Sequence, residues 1–316
     1  MKIGFLFPGQ GSQAVGMGKD IYDKYDEAKK VYDRVKELTN VDIAKISFEG
    51  PEDVLNQTKY TQLAILTMSL AVVEILKKEN VKAEISAGLS LGEYSALIYS
   101  GILDFDEGVK LVQKRGEYMQ NLVPEGNWQM AAVLGLDDET VENTCKKVTN
   151  GFVVPANFNC NGQVVISGEE EAVKKATELM SEAGARKVRV LKTSGPFHTT
   201  KLIEASKALS KELENTKFNK SNLKVVKNID GTEYTENDNI KEILAKHIIS
   251  PVRFSKSINT MLQENVDTFI EVGPGKTLSG FVKKAETTNP INILNINNVD
   301  TLENTIKFIK EETTNE

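Results

Sequence analysis

The sequence predicts an α/β protein built on a mainly parallel sheet, with a ferredoxin-like βαββαβ unit inserted into it. Three observations carry that prediction. First, the apolar runs "KIGFLF" (2–7) and "TFIEVG" (268–273) lead into the glycine-rich stretches "PGQGSQAVGMG" (8–18) and "GPGKTLSGFVKK" (273–284), as buried strands do when they hand the chain to a loop at their C-terminal ends. Second, helical patterning alternates with such runs in the first 125 residues. Third, from Trp128 the texture changes to short elements in the order strand, helix, strand, strand, helix, strand, the ferredoxin-like signature.

Taken in order, "KIGFLF" is a buried strand closed by Pro8, and "DIYDKYDEAKKVYDRVKEL" (20–38) has helical spacing. "LAILTMSLAVVEIL" (63–76) is a core helix; Glu74 interrupts it, and it falls short of the roughly 20 apolar residues that a membrane span needs. "EISAG" is a strand, "LGEYSALIYSG" a helix stopped by Gly101, and "DFDEGVKLVQKRGEYMQNL" (104–122) a further helix. The inserted elements are "WQMAAVLG", "DDETVENTCKKVT", "FVVPANFN", "QVVISG", "EEEAVKKATELMSEAG" and "RKVRVLKTS", with "NCNG" (159–162) turning the two middle strands. This divides the chain into a core of residues 1–125 and 194–316 and an inserted subdomain of residues 126–193. The helical "TTKLIEASKALSKELEN", the strand "LKVVKN" and the turn at Asp230–Gly231 follow, with "TFIEVG" as the final strand.

At 316 residues and 40% hydrophobic content the chain can bury a large core and form a cleft. Its 39 basic and 45 acidic residues, net −6, argue against nucleic acid or an anionic membrane as partner. Cys145 and Cys160, 15 apart without nearby histidines, match neither a zinc site nor a disulfide framework, so a cytoplasmic setting is expected. The apolar run at the N-terminus is too short for a secretory signal.

"SAGLSLGEYSAL" (86–97) holds the pattern Gly-x-Ser-x-Gly between a strand and a helix. That context makes Ser90 a candidate nucleophile, because a tight turn projects the hydroxyl and leaves the following backbone N–H facing an oxyanion. A serine needs a base, and the chain has two histidines, His198 and His247. His198 lies in "TSGPFHTT", a loop at an element boundary where Thr199–Thr200 can begin a helix, and His247 lies in "LAKHIISPVRF" near a helix end. Taken singly, each also reads as a capping or half-buried histidine, but a paired serine needs one of the two.

The blocks "FPGQGSQAVGMG", "GLSLGEYSAL", "QKRGEYMQ", "NFNCNGQVVISG", "GPFHTT", "SPVRF" and "EVGPGKTLSGFVKK" follow one another in the order and spacing of a known family. Over residues 3–285 the sequence resembles the malonyl-CoA:acyl carrier protein transacylases of type II fatty acid synthesis. The resemblance implies a hydrolase-like α/β core and a ping-pong transfer of malonyl from malonyl-CoA through a Ser90 ester to the phosphopantetheine thiol of acyl carrier protein. His198 would be the base, and the N–H groups of Gln10 and Leu91 the oxyanion hole. Two such donors stabilise an oxyanion by roughly 3 kcal/mol each.

Arg115, in the family pattern Arg-Gly-x-x-Met-Gln at 115–120, would hold the malonyl carboxylate; a planar, permanently charged guanidinium selects acyl groups with a terminal acid. Met119, Phe197 and Asn159 would line the substrate site, with Phe197 crowding any branch at the α-carbon. No cofactor is expected beyond malonyl-CoA as substrate, and no metal.

The sequence departs from the family twice. Leu89 stands where a histidine is common, and His247 stands where glutamine is usual, so His247 is expected to orient His198 through its main-chain carbonyl. The alternative is a carboxylate such as Glu271 in that role. Three readings stay open at this stage: a transferase, serving a fatty acid or a polyketide carrier; a serine thioesterase or hydrolase; and a carrier-docking module without catalysis. Lys187, Arg189 and Lys192 are candidates for docking an acidic carrier, against their ordinary reading as solvated surface.

Overall fold

The computed structural model describes residues 1–193 and 195–315. Nine strands are present among them: β1 (Ile3–Phe7), β2 (Ile85–Gly88), β3 (Trp128–Leu134), β4 (Val153–Cys160), β5 (Gln163–Glu169), β6 (Lys187–Leu191), β7 (Lys224–Val226), β8 (Thr268–Val272) and β9 (Asn292–Ile296). They form two sheets. The first is five-stranded, in the order β7-β2-β1-β8-β9, and every pair is parallel. β1, β2 and β8 are buried at every position. A strand covered on both faces has no polar side to alternate with, which is why these segments read as continuous apolar runs.

The helix Thr58–Lys78 is buried along most of its length in the main core. It is the one helix among the described residues long and apolar enough to cross a membrane, and 83% of its apolar window is covered by the protein itself.

The second sheet is four-stranded and antiparallel, in the order β4-β5-β3-β6. Its first and third strands in chain order lie side by side at the centre, the arrangement a βαββαβ chain adopts. The helices Asp138–Lys147 and Glu170–Glu182 cover one face, where Ala131, Val133, Val141, Phe158, Ile166 and Val173 build a separate core. Because side chains alternate along a strand, Met130 and Ala132 of β3 point the other way and join the main core.

Some elements differ from the expectation. The helix expected over 20–38 is two helices, Lys19–Lys24 and Asp26–Thr39, separated at Tyr25, whose backbone is extended (φ −115°, ψ 122°). The Tyr25 hydroxyl donates to Glu303 in the C-terminal helix Val299–Asn315, a tertiary contact that no local periodicity announces. The parallel sheet continues past β8 to β9, an edge strand that is mostly only partly covered and so lacks the apolar run that marks its neighbours. The expected strand "RKVRVLKTS" is seen over Lys187–Leu191, and its last residue, Ser194, lies outside the described residues.

Candidate active site

The site gathers where the parallel strands end. β2 stops at Gly88, Ser90 turns with a left-handed backbone (φ 54°), and the helix Gly92–Tyr99 begins at once. Both flanking glycines are demanded by contact. A Cβ on Gly88 would lie 1.9 Å from the Gly92 carbonyl carbon, and one on Gly92 would lie 2.0 Å from the Phe7 carbonyl oxygen. Any side chain at either position would push the turn off the end of β1, so the Gly-x-Ser-x-Gly spacing follows from sterics.

His198 comes from the loop after β6 and is also left-handed (φ 58°). Backbone of this kind costs on the order of 1–3 kcal/mol for a residue other than glycine and persists only where the surroundings hold it. The Ser90 Oγ lies 2.7 Å from His198 Nε2, and His198 Nδ1 lies 3.1 Å from the main-chain carbonyl of His247. A carbonyl can only accept, so Nδ1 carries the proton and Nε2 is left to accept from the Ser90 hydroxyl. Burial pushes the His198 pKa down to about 4, with the Arg115 charge adding to the fall, while the bond to His247 pulls the other way. The ring is therefore neutral and able to take a proton at pH 7.

His247 ends the helix Ile240–His247 and is fully buried. Its ring lies 5.2 Å from that of His198, and its two ring nitrogens have no hydrogen-bond partner among the described residues. Its Nδ1 is 3.5 Å from the Glu93 carboxylate, but burial holds the imidazole pKa well below its usual value, so the pair is not an ion pair at neutral pH. Glu271 is engaged elsewhere: it accepts the N–H groups of Leu278 and Ser279 and the Ser279 hydroxyl at the start of the helix Thr277–Val282.

Arg115 lies on the helix Phe105–Asn121 and is completely buried. Its Nη1 donates to Gln62 Oε1 at 2.6 Å and its Nη2 to Ser90 Oγ at 3.2 Å, while the guanidinium sits 5.2 Å from the Tyr94 ring centroid. Gly116 permits this. A Cβ there would lie 2.9 Å from Lys59 Cα, so the two helices cross closely enough for Arg115 to meet Gln62. Burial pulls the Arg115 pKa below its ordinary value, Tyr94 and Glu93 nearby pull the other way, and its hydrogen-bond acceptors Gln62 and Ser90 are both neutral. A desolvated cation with neutral partners is a strong receptor for an anion.

The N–H groups of Gln10 and Leu91 donate to no protein acceptor among the described residues. The Gln10 side chain is tied back to Thr58, at 3.3 Å. Gln10, Ser90, Met119, Asn159, Phe197 and His198 all line one cavity of about 250 Å³, with Met130 and Val165 of the antiparallel sheet forming its far wall. The Asn159 Oδ1 is buried without a hydrogen-bond partner among the described residues.

Residues 4–305 match the family model described as an acyl transferase domain. The chain is 42% identical over 316 residues to the malonyl CoA-acyl carrier protein transacylase of Bacillus subtilis, covering 99% of each. The chain belongs to the malonyl CoA-acyl carrier protein transacylase family. Among solved structures, the transacylase of Clostridium perfringens superimposes with a TM-score of 0.94 at 45% identity, with 99% of each chain covered. A malonyl-transacylase solved in complex with a type II polyketide acyl carrier protein superimposes with a TM-score of 0.93 at 33% identity, covering 98% of this chain and 100% of that one.

Of the candidates named from the sequence, those for nucleophile, base, oxyanion hole and acyl pocket meet around Ser90, whereas Glu271 is engaged elsewhere and Lys187, Arg189 and Lys192 are exposed. Three neighbours were not among them: Gln62, Glu93 and Asn228. Gln62 is a buried amide within a largely apolar helix, and Glu93 is a fully buried carboxyl one helical turn beyond Ser90. Both are signals of a kind the sequence carries.

Proposed function

We propose that the protein moves a malonyl group from coenzyme A to acyl carrier protein through an ester on Ser90. The observation that carries this reading is the position of the Ser90 hydroxyl, 2.7 Å from a neutral histidine nitrogen and 3.2 Å from the Nη2 of a buried guanidinium. An acyl group held on Ser90 lies beside that guanidinium, which can pair with a free carboxylate one methylene away from the ester carbonyl.

In the first half-reaction His198 Nε2 takes the Ser90 proton as Oγ attacks the thioester carbon. The resulting oxyanion is bound by the N–H groups of Gln10 and Leu91. Collapse breaks the carbon–sulfur bond, and the departing thiolate takes the proton from Nε2. In the second half-reaction His198 takes the proton of the phosphopantetheine thiol, sulfur attacks the ester carbon, and Ser90 leaves with the proton returned to it. The His247 carbonyl steadies the imidazolium in both halves. Arg115 holds the malonyl carboxylate, and Phe197, Met119 and Asn159 shape the acyl pocket.

The chemistry asks for no cofactor beyond the coenzyme A thioester as substrate. The free cysteines, Cys145 and Cys160, support a cytoplasmic setting. The separate apolar core under β3–β6 supports the division at 126 and 193. Lys187 and Arg189, exposed on the edge strand β6, and Lys192, exposed just after it, are our candidates for meeting an acidic carrier.

Incubation with malonyl-CoA labelled in the malonyl group tests the reading. Transfer predicts label that stays on the protein and moves to carrier protein on its addition. Label released as free malonate would mean a thioesterase, and an unlabelled protein would mean that no ester forms.

A further inference from the structure

We propose that Asn228 is the positioning residue that holds Ser90 in its reactive, left-handed conformation. The pairing of β2 with β7 stops at Ala87 and Val226. Two residues on, the side chain of Asn228 takes over the work of a strand. Its Oδ1 accepts the Ser90 N–H at 2.7 Å and its Nδ2 donates to the Gly88 carbonyl at 2.6 Å. One amide thus bridges the last residue of the strand and the residue at the apex of the turn. An N–H facing one atom and a carbonyl facing the other fixes which end of the amide is oxygen.

The clamp is itself clamped. Asn228 is fully buried, its own N–H donates to Glu93 Oε2 at 3.0 Å, and its carbonyl accepts the Arg253 N–H at 2.7 Å. Glu93 also accepts the Tyr234 hydroxyl, so the carboxyl that holds Asn228 is held from its other side. Two consequences bear on the chemistry. The chain leading into the φ 54° turn at Ser90 is fixed on both sides of Leu89, at the Gly88 carbonyl and at the Ser90 N–H, so the surroundings hold the strained residue in place. The Ser90 N–H is also engaged inside the protein, while the next N–H along, that of Leu91, meets no protein acceptor among the described residues.

The inference rests on Ser90 being the residue that carries the acyl group. Its test uses Asn228→Ala and the near-isosteric Asn228→Asp, with Ser90→Ala beside them. Without the clamp, displacement of Oγ on the order of 1 Å is expected to lower kcat by about 100-fold, with the KM for malonyl-CoA little changed. Phosphonylation of the serine by a fluorophosphonate, which needs no coenzyme A binding, should slow by a similar factor in the fraction that melts cooperatively. Either variant reacting with the phosphonate at the parent rate, or raising KM with kcat unchanged, overturns the assignment. A Ser90→Ala protein that is still phosphonylated or malonylated would instead break the reading of Ser90 itself. In the parent protein, amide hydrogen exchange supplies a readout that needs no variant: the Ser90 N–H should exchange more slowly than the Leu91 N–H, and the reverse order overturns the clamp.

Discussion

The two sheets of this molecule divide the labour of the site unequally. The parallel sheet brings Gln10 after β1, Ser90 and Leu91 after β2, and Asn228 after β7, each just beyond the C-terminal end of its strand; β1 and β2 are buried at every position, and β7 is the sheet's edge strand. The antiparallel sheet contributes Met130, Val165 and Asn159 to the cavity wall, and its edge strand β6 is mostly exposed. Strands that are buried all round cannot shift, and so the turns that follow them can hold strained conformations at Ser90. The antiparallel sheet, with one helix-covered face and one cavity face, shapes the space, and the loop that leaves its edge strand β6 holds the second left-handed residue, His198. The difference teaches that the nucleophile with its oxyanion donors comes from one sheet and the pocket wall from the other, with His198 reaching across between them, and each prediction below presses on one part of that arrangement.

The largest effect is expected at His198, which the loop after the antiparallel strand β6 carries to Ser90. His198→Ala should slow serine acylation by on the order of 10³ or more in a single-turnover measurement, since no other group meets the Ser90 hydroxyl as a base. Arg115→Ala should depress malonyl transfer strongly while improving acetyl transfer relative to it, because the uncharged acyl group no longer leaves a buried guanidinium without an anion. An unchanged malonyl-to-acetyl ratio in competition would place the carboxylate elsewhere.

The pH dependence has a definite sign. Because burial lowers the His198 pKa to about 4, the imidazole stays unprotonated well below the 6.5 of a free histidine. The acylation rate should therefore hold as pH falls through 6.5 and decline only as it approaches 4. An acid limb centred near 6.5 would show that the site is wetter than its burial implies.

Effects in the antiparallel half should fall on stability. Ile166→Ala, in the apolar core under that sheet, should cost about 2–5 kcal/mol in a denaturant titration, while the phosphonylation rate of the folded fraction stays near that of the parent. The smallest effect belongs to His247→Gln. His198 leans on the backbone carbonyl at 247, so this variant should keep most of its activity and the same pH profile. A large loss would mean that the imidazole itself takes part.

Much of this was legible in the sequence because the relevant constraints are local. The elbow is written in Gly88 and Gly92, whose missing side chains are forced by contacts within the turn and with the end of β1. The antiparallel unit is legible because its six elements are short, regular and separated by turn residues. What escaped depends on contacts between distant segments. Asn228 reads as an ordinary residue after a three-residue strand, and only the fold carries it to Ser90, 138 positions away. Gln62 becomes the partner of Arg115 only when two helices cross at Gly116. The extended backbone at Tyr25 and the edge strand β9 were hidden for the same reason, since neither has a periodicity of its own.

The central claim is that Ser90 carries the acyl group between two thiols. Intact-mass measurement after brief exposure to malonyl-CoA tests it most directly, comparing the parent with Ser90→Ala. The account predicts one added malonyl group on the parent, discharged when carrier protein bearing phosphopantetheine is added, and no added mass on Ser90→Ala. A malonyl adduct that forms equally on Ser90→Ala, or one that carrier protein cannot discharge, would contradict it.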